Sequence, residues 1–244
     1  MAETVLITGA SRGIGAATAR LFGEKGYNLI LNCSKTYDEL TTLQKEIEEA
    51  NEGVNCLTIK ADVSIASEVN YMFEAAAKRF GGVDILINNA GISHSGLMSD
   101  MDDNEWDRVL GTNLNSVFYC CRKAVPYMVS QKKGCIINVS SVWGLYGASC
   151  EVAYSTSKGG VNAFSKALAK ELGPSGIRVN AIAFGLIDTD MNKCYTEEER
   201  AALADETAIG RFASPEEAAD VIVGLATGHS YMTGQVIQFD GGWI

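Results

Sequence analysis

The strongest constraint on the fold lies at the amino terminus. Residues 4–8 form a short apolar run that leads into Thr8-Gly9-Ala10-Ser11-Arg12-Gly13-Ile14-Gly15, and an alanine-rich helical pattern follows as far as Lys25-Gly26. A buried strand that turns through glycines directly into a helix is the opening unit of an α/β sheet. Glycine lets the main chain approach a pyrophosphate closely, and the helix amino terminus presents free N–H groups and positive dipole to it. Position matters more than the glycines themselves: after a first strand and before a helix, they stand where a dinucleotide site requires them.

Further apolar runs at 28–32, 56–60, 84–88, 136–141, 178–184 and 235–240 alternate with helical patterns, the longest spanning 104–131. With 244 residues, 47% of them hydrophobic, the chain fits a single α/β domain over 1–244. Thr196 to Glu199 and Ser214 to Glu217 both read as capping boxes that start helices, bracketing a small lobe over the substrate mouth. The second strand ends Asn32-Cys33-Ser34-Lys35, without the acid that bonds the ribose hydroxyls in NAD sites. With Arg12 in the glycine turn, this pocket suits a 2′-phosphate, so the expected cofactor is NADP(H) rather than NAD(H).

A formal charge of −10 without a basic stripe argues against nucleic acid and anionic membranes as partners. No apolar run reaches membrane-spanning length, and the start of the chain lacks a signal-peptide layout. Seven cysteines with no Cys-x-x-Cys predict reduced thiols in a cytoplasmic protein and no metal site.

The run at 136–141 stops at Ser140-Ser141, and Tyr154-Ser155-Thr156-Ser157-Lys158 begins thirteen residues after Ser141. Tyr154 and Lys158, four apart, share one side of a helix whose apolar face carries Val161, Phe164, Leu168 and Leu172. An ammonium beside a phenol lowers its pKa, which would make Tyr154 a proton donor and acceptor near neutral pH. Ser141 would hold a substrate oxygen beside it. In the long helix, Asn113 interrupts an apolar stripe of Trp106, Val109, Leu110, Leu114, Val117 and Phe118, so a polar partner must lie against its amide.

A Ser followed by Tyr-x-x-x-Lys, behind a glycine turn spaced as Gly9, Gly13 and Gly15, resembles the short-chain dehydrogenase/reductase family over nearly all 244 residues. The resemblance implies a Rossmann-type, doubly wound parallel sheet of about seven strands flanked by helices. It also implies a homodimer or homotetramer that pairs the long helices. The implied catalytic set is Asn113, Ser141, Tyr154 and Lys158, with the Asn113 backbone carbonyl holding a water against the lysine. Implied cofactor contacts are Gly9, Ser11, Arg12, Gly13, Ile14 and Gly15 in the turn, and Asp62 and Val63 at the adenine. Asn89, Ala90 and Gly91 would steady the sheet beneath the cofactor. Tyr154, Lys158, Ile187 and Thr189 would meet the nicotinamide riboside. Relatives usually carry Pro where this chain has Phe184, which leaves the shape of the nicotinamide pocket open.

The implied reaction is NADPH-dependent reduction of a ketone, either a small molecule or one linked to a carrier or protein. The overall pattern is most similar to 3-oxoacyl-[acyl-carrier-protein] reductases, for which Lys132 and Lys133 would contribute a basic landing site for an acidic carrier, while Ser175 stands where such reductases often have a base. The stretch from Ser140 to Val152 is similar to the 5-aminopentanone reductases that act on elongation factor P. Sugar or polyol dehydrogenases of the glucose/ribitol type are a third enzyme reading, and a non-catalytic NADP-binding regulator is the alternative of another class. Glu151 lies one helical turn before Tyr154, where it would either face a cationic substrate beside Trp143 and Tyr146 or cap the helix.

Overall fold

Parallel pairing of the apolar runs builds one sheet around the amino-terminal strand. The computed structural model describes residues 2–193 and 195–244. Its strands are β1 (Thr4–Ile7), β2 (Asn28–Cys33), β3 (Cys56–Lys60), β4 (Ile85–Asn88), β5 (Gly134–Ser141), β6 (Ile177–Phe184) and β7 (Val236–Phe239). They pair in parallel in the order β3-β2-β1-β4-β5-β6-β7. The winding reverses between β1 and β4, and a crevice opens there at the carboxyl ends of the strands.

Side chains alternate across each strand and feed two cores. Val5, Ile7, Leu29, Leu31 and Ile87 pack with Phe22 of α1 (Gly13–Glu24), Ile47 of α2 (Tyr37–Ala50) and Ile222 of α9 (Pro215–Thr227). Leu6, Ile30, Leu86 and Ile136 pack on the opposite face. Their partners are Met72 of α3 (Ala66–Phe80), Val117 of α5 (Ser116–Gln131) and Val161 of α7 (Val152–Leu172). The remaining helices are α4 (Asp103–Leu110), the single turn α6 (Trp143–Tyr146) and α8 (Glu197–Asp205). Strand ends fall within two residues of the sequence expectation, and both expected capping boxes form, at Thr196 and Ser214.

The helix expected over 104–131 is not continuous. A π turn at Gly111–Asn115 separates α4 from α5, inserting slack into the ladder at the position of Asn113. The apolar stripe continues through this turn, so periodicity alone does not reveal it.

A buried polar chain fixes α7 against the sheet. Asn88 Nδ2 donates to Asn138 Oδ1 at 2.8 Å, Asn138 Nδ2 to Ser165 Oγ at 2.8 Å, and Ser165 Oγ to the Val161 carbonyl at 2.7 Å. Each link is paired inside the protein, which sets the height of α7 over β4 and β5 and thereby of the residues at its amino end. Among the described residues, no helix is long and apolar enough to cross a membrane.

Candidate active site

A cleft of about 970 Å³ runs along the carboxyl edge of the sheet, from Ser34 and Lys35 beyond β2 to Thr189 and Asp190 beyond β6. The glycine turn forms its floor. Gly9 and Gly13 hold φ of +63° and +53°, in the left-handed region that glycine populates readily. A Cβ on Gly9 would sit 2.9 Å from Ala90 Cα, so the turn lies flat against the end of β4. Asn89 fastens it there, its Nδ2 donating to the carbonyls of Thr8 and Gly9 at 2.9 Å each. The backbone N–H groups of Asn89 and Ala90 both donate to Thr8 Oγ1 at 3.0 Å. Residues 89–91 thus brace the turn as well as line the cleft.

Ser11, Arg12, Ile14, Val63 and Ile187 also line the cleft, as do Asp62 and Thr189. The Asp62 carboxylate also holds its own turn, its Oδ1 accepting from the Ser64 N–H at 2.9 Å and the Ser64 hydroxyl at 2.7 Å. Gly15 stands apart from the lining. A Cβ there would run into the Gly9 carbonyl oxygen, so its missing side chain lets α1 close on the turn. The segment directly after β2, Ser34 to Thr36, carries no acid, and Asn32 spends its amide inside the sheet, donating to the Ala61 carbonyl at 2.9 Å.

At the middle of the cleft, β5 ends at Ser141 and α7 brings Tyr154 and Lys158 over it. Ser141 lies close enough to the Tyr154 phenol to lower its pKa, and its Oγ accepts from the Trp143 N–H at 3.2 Å. Lys158 Nζ lies 5.7 Å from the centre of the Tyr154 ring and donates to the Val139 carbonyl at 2.8 Å. Both side chains are buried, and burial disfavours charge. It pushes the phenol up to about 12, offset in part by Ser141 and reinforced by the Glu151 charge. The same burial lowers the Lys158 ammonium to about 8. The expectation of a phenol lowered by Lys158 is therefore not met: removal from water dominates and raises it.

Asn113 is buried behind this group rather than on the cleft lining. Its Oδ1 accepts from the Ile92 N–H at 2.8 Å, and its Nδ2 donates to the Ile92 carbonyl at 2.9 Å and to Ser157 Oγ at 3.0 Å. These are the polar partners that its place in an apolar stripe demands. Gly91 lies between it and the lysine. A Cβ on Gly91 would be 3.4 Å from Lys158 Nζ and 3.5 Å from Asn113 Oδ1.

Glu151 precedes α7 but makes no side-chain cap bond, and its half-buried carboxylate has no hydrogen bond or ion pair to another described residue. Burial raises its pKa. Trp143 packs on Trp243 with ring centres 4.8 Å apart, and the Tyr146 hydroxyl donates to Gln238 at 2.9 Å, so the carboxyl-terminal segment holds both aromatics. Phe184 lies on the cleft and meets Phe239 edge-on, with centres 5.7 Å apart. Lys132 and Lys133 immediately precede β5, at the opposite edge of the sheet from Ser141, and Ser175 closely precedes β6. At about 3.3 Å per residue, β5 places roughly 25 Å between these lysines and the cleft of the same chain.

Some contacts had no sequence signal. Arg12 Nη1 lies 3.3 Å from Asp190 Oδ2, a partner remote in the chain. The Val139 carbonyl that receives Lys158, and the Ser157 hydroxyl that receives Asn113, depend on how strand and helix pack.

The glycine turn, packed flat against the end of β4, and the length of the cleft suit a dinucleotide. Comparison with known proteins agrees with this geometry. The profile of the short chain dehydrogenase family matches residues 3–200. An oxidoreductase of Bacillus subtilis, YmfI, itself described as uncharacterized, is 39% identical over 244 residues, covering 100% of this chain and 99% of the relative. The 3-oxoacyl-[acyl-carrier-protein] reductase FabG of Thermotoga maritima is 41% identical, and its namesake in Staphylococcus aureus strain Mu50 is 38% identical. Each covers 99% of this chain, and the match spans 98% of each relative. With sheet order, glycine turn and family profile in agreement, the chain belongs to the short-chain dehydrogenases and is an NAD(P)-dependent oxidoreductase.

Proposed function

We propose that this enzyme is an NADPH-dependent carbonyl reductase acting on a ketone held over Tyr154. The observation that carries the reading is the convergence of Ser141, Tyr154 and Lys158 at the middle of the cleft. The nicotinamide cofactor, when bound, supplies the hydride. Tyr154, protonated at neutral pH, gives its proton to the carbonyl oxygen, and Ser141 donates a hydrogen bond to that oxygen. Lys158 holds the nicotinamide ribose and returns the proton, with Asn113 supporting the relay behind it. Asp62 and Val63 border the adenine end, and Ile187 and Thr189 the carboxamide end. The setting is cytoplasmic, and the enzyme is a homodimer or homotetramer. Phe118, Arg122, Val125 and Val129 make a stripe along α5, with Phe118 and Val129 exposed, that supplies an apolar face for self-association.

Preference for NADPH rests on Arg12 and on the missing acid after β2. The enzyme should use NADPH at least about tenfold better than NADH in kcat/KM, about the 1.4 kcal/mol of one charge-assisted contact. Arg12→Ala should remove that margin. Equal use of both cofactors by the wild type would sink the assignment.

The relatives named 3-oxoacyl-[acyl-carrier-protein] reductase support a 3-oxoacyl thioester as the substrate. One observation favours a second reading, a ketone that ends in an ammonium group, as in a 5-aminopentanone-modified lysine. Glu151 stands at the N-cap position of α7 without a side-chain cap bond; its half-buried carboxylate has no hydrogen bond or ion pair among the described residues, and its charge raises the Tyr154 phenol pKa. Under this reading Glu151→Gln lowers kcat/KM by about 5- to 50-fold for a cationic amino-ketone and leaves a neutral ketone of equal length unchanged. Equal losses on both substrates would return the oxoacyl reading to first place.

A further inference from the structure

Arg12 is engaged across the cleft by an acid that nothing in the sequence pairs with it. Asp190 opens the short 3₁₀ turn after β6, and its Oδ2 lies 3.3 Å from Arg12 Nη1 while Oδ1 holds Lys193. The two chain segments touch beneath the pair: a Cβ on Gly13 would lie 3.3 Å from Thr189 Cγ2. Arg12, Thr189, Asp190 and Asn192 all line the cleft. The segment that bears Asp190 is tied in turn to α8. Arg200 Nη2 donates to Asp188 Oδ1 at 2.8 Å and Nη1 to the Asn192 carbonyl at 3.3 Å, while its guanidinium covers the Phe212 ring at 4.5 Å. A line of contacts therefore runs from the glycine turn through Asp190 and Arg200 to α8.

We propose that Asp190 is a specificity-determining residue that occupies Arg12 in place of the cofactor's 2′-phosphate and releases it only to that group. This rests on the reading of Arg12 as the phosphate ligand. A carboxylate and a phosphate both bind a guanidinium through charge-assisted N–H···O bonds, so one arginine cannot serve both fully at the same time. A cofactor without the 2′-phosphate has no group to exchange for Asp190 and leaves the pair closed. A cofactor with it takes Arg12 and frees Asp190 from the glycine turn, while Asp190 keeps Lys193. Asp190 thus lowers the affinity for NADPH and narrows its margin over NADH. Both side chains are partly exposed, 61% for Arg12 and 39% for Asp190, so the competition is modest and sensitive to salt.

The test uses the full-length protein and a probe carrying the phosphate but no nicotinamide. Calorimetric titration with 2′,5′-ADP and with 5′-AMP, on wild type and Asp190→Asn, separates the phosphate contribution from turnover. Asp190→Asn should bind 2′,5′-ADP about two- to fivefold more tightly, with 5′-AMP unchanged and the gain shrinking as salt rises from about 50 to about 500 mM. Unchanged 2′,5′-ADP affinity would overturn the proposal, as would equal tightening of both probes. Weaker 2′,5′-ADP binding would overturn it too, since Asp190 would then be orienting Arg12 for the phosphate. Arg12→Ala tells a failure of this proposal from a failure of the cofactor reading. If that variant keeps the wild-type preference for 2′,5′-ADP over 5′-AMP, Arg12 is not the phosphate ligand and the cofactor reading itself fails.

Discussion

Tyr154→Phe should lower kcat for ketone reduction by about 10² or more, as expected for loss of a general acid, while NADPH binding stays within about twofold. The phenylalanine keeps the ring that packs under Lys158 and beside Ser141, so the change removes a proton and little else. Nucleotide binding measured by fluorescence titration checks the second half of the expectation. Near-normal turnover would mean that another group protonates the oxygen. The direction of the phenol shift adds a pH criterion. With Tyr154 held up to about 12, its proton is present across the whole neutral and mildly alkaline range. Reduction should therefore not fall through ionisation of Tyr154 below about pH 10.

The second large effect belongs to Lys158. Burial lowers its ammonium from 10.5 to about 8, so the folded protein releases this proton at a pH where the unfolded chain still holds it. The unfolded state binds more protons between about pH 8 and 10.5, and stability must rise with pH through that window. Below about pH 8 both states are protonated and the full cost of the buried charge is present. The rise attributable to Lys158 is about 3 kcal/mol. Lys158→Met should abolish it, so that the difference in unfolding free energy between wild type and variant changes by that amount from about pH 8 to 10.5. Urea denaturation at a series of pH values measures this directly, and a difference independent of pH would refute the assignment. The absolute effect at neutral pH is smaller, because the methionine also leaves the Val139 carbonyl without its donor, at about 1–3 kcal/mol. Turnover should fall together with the pH signature.

Much of this arrangement was legible in the residues. The strand runs are apolar on both faces because parallel strands are covered on both sides, and this made all seven visible with small errors at their ends. Tyr154 and Lys158 could be paired because helical spacing is a local rule. Ser141 could be placed because a strand that stops at a serine points it at the sheet edge. What escaped depends on distant packing. The π turn at Asn113 keeps the apolar phase nearly intact, so the sequence hides it. The Lys158 and Tyr154 shifts come from burial by residues of both β5 and α7. Arg12 meets Asp190 only after the sheet is complete. Glu151 takes the N-cap position of α7, but the way the chain enters the helix leaves its carboxylate without a cap bond, which no local pattern reveals.

The strand order also bears on how the chain acquires its structure. β1 pairs with β2 through partners such as Val5 and Leu29, close in sequence, but its other neighbour is β4, through Val5 and Ile85. The first three strands and their two helices can therefore assemble as a local unit while the outer edge of β1 stays unpaired. Closing that edge requires a loop of about 80 residues, and such non-local closure slows folding. During synthesis an apolar strand destined for the centre of the sheet presents an open ladder until Asn88, the end of β4, has emerged. That interval, rather than any weakness of the finished molecule, is when self-association through strand edges threatens the chain most.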